Sequence, residues 1–213
     1  MAVLLATAVP LLSGGPAAAA GAPPICFGQF ATIVAQPGVV TPGTPFNDVI
    51  VGTAGNDVIL GAGGNDRICS LGGNDRVDGQ NGNDLVDAGT GNDLVTARVG
   101  NDTVIGNLGT DTVSYAGNLA GVRVSLATVA AQNTVGAGTD TISSTENLTG
   151  GNGSDNLAGN ALNNQILAGP GNDRVDGAGG NDRVDAGTGN DLVVARVGND
   201  TVIGNLGTDT VSY

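Results

Sequence analysis

Gly52-Thr53-Ala54-Gly55-Asn56-Asp57-Val58-Ile59-Leu60 runs without a break into Gly61-Ala62-Gly63-Gly64-Asn65-Asp66-Arg67-Ile68-Cys69, two nine-residue units of one design. The design extends in both directions. Asp48, Asp57, Asp66, Asp75, Asp84, Asp93, Asp102 and Asp111 stand nine residues apart, each preceded by Asn except Asp111, which follows Thr110. Two residues after each comes Ile50, Ile59, Ile68, Val77, Val86, Val95, Val104 or Val113. A β-branched apolar residue at a fixed place suits a buried position on a pleated strand. Its neighbours vary among Val, Arg, Asp and Thr and are expected to face outward, as alternation along a strand requires. The Gly- and Asn-rich residues before each Asp suit tight turns with positive φ. Six residues of turn and three of strand make the unit.

The composition fits such a repeat and little else. The 213 residues include 38 Gly, 19 Asp, one Glu (Glu146), seven Arg and no Lys or His. Large side chains are too scarce for an ordinary globular core, so order must come from a repeated backbone geometry. A formal charge of −13 argues against nucleic acid and anionic membranes as partners and leaves cations as the counter-ligand. Without His there is no His-Glu-x-x-His zinc site and no histidine-based triad, and Glu146 has no evident carboxylate partner; no catalytic residue is expected. Residues 1–22 read as an export signal, with an apolar run from Ala2 to Leu12 and small residues from Ala17 to Ala22, although no charged start precedes them. A secreted, extracellular protein is the expectation. No later apolar run is long enough to span a bilayer.

The repeat resembles the RTX, or hemolysin-type, calcium-binding nonapeptides, whose pattern is glycine-glycine-x-glycine-x-aspartate-x-aliphatic-x. The likeness covers residues 43–114 and, after a break, 150–212. It implies an all-β fold, a parallel β-roll or β-solenoid, in which two units make one coil and turns on the same edge lie 18 residues apart. It also implies several Ca²⁺ ions held between stacked turns by Asp carboxylates and backbone carbonyls, an oxygen-only set suited to that ion rather than zinc or copper. Asp48, Asp66, Asp84 and Asp102 would then line one edge and Asp57, Asp75, Asp93 and Asp111 the other. Asp155, Asp173, Asp182, Asp191, Asp200 and Asp209 are the matching metal ligands of the second block. Asn164 stands where another Asp belongs, and Phe46 and Leu162 replace turn glycines, so weak turns are expected there. Ala97-Arg98-Val99 and Ala195-Arg196-Val197 also depart from the pattern. Six or seven divalent ions would bring the charge of −13 close to zero.

The chain divides into a cap segment at 23–42, a first roll at 43–114, an irregular β insert at 115–149 and a second roll at 150–213. Within the insert, Gly121-Val122-Arg123-Val124-Ser125-Leu126 alternates like a strand, and Thr139-Asp140-Thr141-Ile142 is similar to Thr110-Asp111-Thr112-Val113. From Asp111 to Asp155 is 44 residues, one short of five units, so the second roll is expected out of register with the first, as a separate body. Residues 88–115 and 186–213 are identical except at Thr96 and Val194, a segmental duplication. Val51 and Cys69 are both outward residues one coil apart, and Val49, Val58 and Leu60 would leave the first coils wet. Ile25 to Val34, with Phe27, Phe30 and Ile33, is predicted to cover this end and to bond Cys26 to Cys69. The function expected is a secreted calcium-binding repeat protein that folds on its ions and serves a structural or adhesive role. The alternative is the accessory repeat region of a larger secreted enzyme or toxin whose catalytic part lies elsewhere.

Overall fold

Each unit contributes one three-residue strand in a computed structural model that describes residues 22–213, so the export signal lies outside the described residues except for Ala22. The described residues are strands and turns without a helix, and hence without a helix long and apolar enough to cross a membrane. Val49–Val51 lies parallel to Arg67–Cys69, with Ile50 opposite Ile68. Val58–Leu60 lies parallel to Arg76–Asp78, with Ile59 opposite Val77. Strands 18 residues apart therefore pair, alternate units fall into different sheets, and two units complete one coil. This is the parallel β-roll.

The core follows from that register. The middle residue of each strand faces inward and stacks on its counterparts one coil away, so Ile50, Ile59, Ile68, Val77, Val86, Val95, Val104 and Val113 are at most 2% exposed. The column continues through Leu148, Leu157, Ile166, Val175, Val184 and Val193. Stacked turns approach closely enough to demand glycine. At Gly82, with φ of +129°, a Cβ would overlap the Gly64 carbonyl oxygen one coil below.

The insert joins the blocks more tightly than the sequence suggests. On one face a nine-stranded sheet runs unbroken from Val40–Pro42 to Thr201–Ile203. At its junction Thr112–Ser114 pairs directly with Asn147–Thr149, Val113 opposite Leu148. The second roll is not a separate body on this face, because the one-residue slip is absorbed inside the insert before pairing resumes. The other face is divided. A seven-stranded sheet ends with Thr139–Ser143 beside Thr103–Ile105 and a short antiparallel strand, Gln132–Asn133. A five-stranded sheet begins with Arg123–Ser125 beside Asn156–Ala158. Gln132 bridges the gap with its side chain, accepting from the Ser125 N–H at 2.8 Å and donating to the Ser125 carbonyl at 3.0 Å.

At the other end Ile33–Val34 extends the seven-stranded sheet by pairing with Val49–Val51, and Ile33 packs against the core. Ile25–Cys26 and Gln29–Phe30 form a small hairpin. Cys26 is bonded to Cys69, as the sequence predicts, and with Val49 and Val51 they make a second apolar cluster outside the sheet. Phe27 and Phe30 do not join it: they are 36% and 59% exposed, because the hairpin turns its cysteine rather than its aromatic residues onto the sheet. Replacing both cysteines by serine should cost about 2–4 kcal/mol, read as a lower denaturant midpoint in the folded protein. Equal midpoints for oxidised and serine forms would show that the cap is held by packing alone.

Candidate metal sites in the turns

The strand register brings the turn aspartates into columns, and each column is held by its own carboxylates. The backbone N–H of Asp48 donates to Asp66 Oδ1 at 2.8 Å, that of Asp66 to Asp84 at 2.9 Å and that of Asp84 to Asp102 at 2.9 Å. On the other edge Asp57 donates to Asp75, Asp75 to Asp93 and Asp93 to Asp111 over 2.7–2.8 Å. The second block repeats this as Asp155, Asp173, Asp191 and Asp209, and as Asn164, Asp182 and Asp200. All of these aspartates are buried except Asp200 and Asp209, which are half-buried.

Beside each carboxylate ladder runs an amide ladder of opposite sense, which the sequence reading missed. The Asn65 N–H donates to Asn47 Oδ1, Asn83 to Asn65 and Asn101 to Asn83, all over 2.7–2.8 Å. Asn74 and Asn92 do the same on the other edge. The signal lies in the sequence, where Asn precedes nearly every turn Asp, but turn propensity is by itself a sufficient reason for Asn at that place.

Only one oxygen of each carboxylate is spent on the ladder. Oδ2 of Asp66, Asp75, Asp84, Asp93, Asp111, Asp173 and Asp191 is buried with no hydrogen-bond partner. Loss of water, reinforced by the carboxylates one coil away and opposed by the N–H donors, pushes Asp66, Asp93 and Asp173 up to about 6 and Asp102 up to about 7. Asp84 also rises to about 6, through burial and the nearby Asp78 carboxylate. Asp176, on the outer face of a strand, goes the other way because the Arg196 guanidinium holds it low. A bare buried oxygen lacks a donor or a cation. No three acidic or sulfur side chains converge on one point among the described residues, so an ion there would draw most of its ligands from the backbone carbonyls of the turns.

The departures from the repeat have structural reasons. Arg98 reaches back to Asp78 with two nitrogens at 2.7–2.8 Å, and Arg196 does the same to Asp176 at 2.6 Å, so the altered turns pin one coil to the last. Asp140 and Glu146, which the sequence reading left out of the site, continue the two columns of the first block. Asp140 Oδ1 accepts from the Asp102 N–H at 2.9 Å, and Glu146 Oε2 accepts from the Asp111 N–H at 2.9 Å. Asp140 then closes its column, because the Tyr115 hydroxyl donates to its Oδ2 at 2.9 Å and the Thr134 hydroxyl lies 3.0 Å from it.

The family model described as the RTX calcium-binding nonapeptide repeat matches this chain in four copies, at residues 42–77, 78–113, 149–184 and 176–211, well over half of its length. No curated protein matches the chain. The carboxylates of the roll give a pH test. Because their folded-state values stand above the ordinary 3.8, the metal-free roll keeps its full stability only below about pH 4 and loses it as pH rises through about 6 to 7. In chelator, β signal by circular dichroism should therefore grow as pH falls from 7.5 to 5. Growth in the opposite direction would show that the columns are not a source of strain.

Proposed function

Because the chain belongs to the RTX calcium-binding nonapeptide repeat family, we propose that it is an exported, non-catalytic calcium-binding protein whose rolls form when Ca²⁺ enters the turns. The observation that carries this reading is the row of buried Oδ2 atoms without partners, repeated at one-coil intervals. Carboxylates so placed repel one another, and burial strengthens the repulsion. A divalent cation removes both penalties at once. Ca²⁺ suits the task because it accepts six to eight oxygens in loose geometry, whereas Mg²⁺ demands a tight octahedron and gives up water reluctantly. Metal binding free energy then serves as folding free energy.

Such coupling matches an exported chain. Cytosolic calcium leaves the ladder unfilled and the chain unfolded, while extracellular modules typically bind at about 10⁻⁴–10⁻³ M. The folded product is a rod of stacked coils suited to a structural or adhesive role. Titration calorimetry of the full chain should show Ca²⁺ uptake in that range, with Mg²⁺ weaker and Zn²⁺ unable to compete. Preferential Zn²⁺ binding, or no uptake of Ca²⁺ at 10 mM, on the order of ten times the upper end of that range, would contradict the proposal.

A further inference from the structure

The second residue of the nine-residue unit takes two conformations, and they sort the turns into two kinds. Ahead of every bare Oδ2 that residue is left-handed. Ala62, Leu71, Gln80, Gly89, Asn107, Gly169 and Gly187, with φ between +67° and +101°, stand four residues before Asp66, Asp75, Asp84, Asp93, Asp111, Asp173 and Asp191. Four of these, Ala62, Leu71, Gln80 and Asn107, are not glycine and hold the left-handed region at a cost glycine avoids, so the conformation is imposed by the turn and not by the residue.

Four turns are built otherwise. Thr44, Thr53, Gly151 and Asn160 lie outside the left-handed region, and each turns its N–H onto the side chain four residues ahead. The Thr44 N–H donates to Asp48 Oδ2 at 2.7 Å, backed by its hydroxyl at 2.8 Å. The Thr53 N–H donates to Asp57 Oδ2 at 2.6 Å and the Gly151 N–H to Asp155 Oδ2 at 2.7 Å. The Asn160 N–H donates to Asn164 Oδ1 at 2.8 Å. The turns ending at Asp182, Asp200 and Asp209 share the left-handed second residue, in Ala178, Arg196 and Asn205, with an Oδ2 that is not fully buried, and the Asp102 turn, with Arg98 in second place, falls in neither group. The four closed turns are the first on each edge of each block.

Asn164 is an independent sign of what these turns need. It is the one sixth-position residue of the two blocks that is not an acid, and it falls in a closed turn. An amide oxygen accepts the turn N–H as well as a carboxylate does, and the Asn164 Nδ2 donates to the Glu146 carbonyl at 2.6 Å. A turn that requires an acceptor but no charge has no place for a cation.

We propose that the four closed turns, those ending at Asp48, Asp57, Asp155 and Asn164, bind no ion and act as metal-free starting turns, and that Ca²⁺ enters the turns with a left-handed second residue. The proposal rests on the calcium reading above. It narrows the ligand set, removing Asp48, Asp57 and Asp155, and it assigns Thr44 and Thr53 as the residues that exclude the ion. Each block then starts on a turn satisfied by its own backbone, onto which the first ion-dependent coil can dock.

The test is to count bound Ca²⁺ at saturation, by equilibrium dialysis of the full chain, with circular dichroism to confirm the roll. Asp57→Asn and Asn164→Asp should each bind as many ions as the unaltered chain, and Asp84→Asn at least one fewer. Should Asp84→Asn lose the roll, Asp191→Asn in the outer coils makes the same comparison. An ion lost in Asp57→Asn, or gained in Asn164→Asp, would overturn the assignment of the turns. An unaltered chain that takes up no Ca²⁺ would instead overturn the calcium reading beneath it.

Discussion

Each turn aspartate holds its two oxygens in two environments, and the rest of the roll depends on that division. Oδ1 accepts an N–H from the coil before and so fixes the 18-residue step; Oδ2 is carried into the same buried turn and, in seven units, meets nothing. The bond that builds the coil therefore creates the charge that opposes it. Little else is available to offset the cost. One Val, Ile or Leu per nine residues supplies the core, and the outward ion pairs at Asp78 and Asp176 are partly exposed and contribute little. A cation at Oδ2 would resolve the conflict without disturbing the ladder, so that one residue type could serve both the fold and the site proposed above.

The insert shows the same chemistry solved without a cation. At Asp140 the ladder oxygen accepts from Asp102, and the second oxygen is met by the Tyr115 hydroxyl and lies beside that of Thr134. Burial and the two neighbouring carboxylates raise the Tyr115 hydroxyl well above its ordinary value, so it remains a donor. The column stops there, while the nine-stranded sheet on the opposite face continues from Val113 to Leu148. Mechanical continuity and continuity of the carboxylate column are thus separated within one short segment.

Much of this was legible in the sequence because the repeat writes the same geometry many times. The nine-residue spacing of Asp48 to Asp111, with Ile or Val two places on, specified the strand and the turn, and the resemblance to the RTX repeats implied two units per coil and so the edge columns. The Cys26–Cys69 pairing followed from the outward direction of Val51 and Cys69. What escaped was local or lay outside the period. The slip between Asp111 and Asp155 is counted along the chain, but strands pair in space, and the insert uses a 35-residue excursion to return Glu146 to the Asp111 column. Phe27 and Phe30 looked like covering residues, yet a two-residue strand has one inward position and Cys26 takes it. The handedness of Ala62 or Leu71 cannot be read from residue type, since Ala, Leu, Gln, Asn, Arg and Gly all take it at the same place in the unit.

The central claim is that calcium is the switch between an expanded chain and the roll. Far-ultraviolet circular dichroism and hydrodynamic radius, taken together at neutral pH in chelator, in Mg²⁺ and in millimolar Ca²⁺, test it most directly. The account predicts an expanded chain with little β signal in chelator and in Mg²⁺, and a compact β-rich form only with Ca²⁺. A compact β-rich chain in chelator, unchanged when Ca²⁺ is added, would contradict it and leave a roll that stands without its ions.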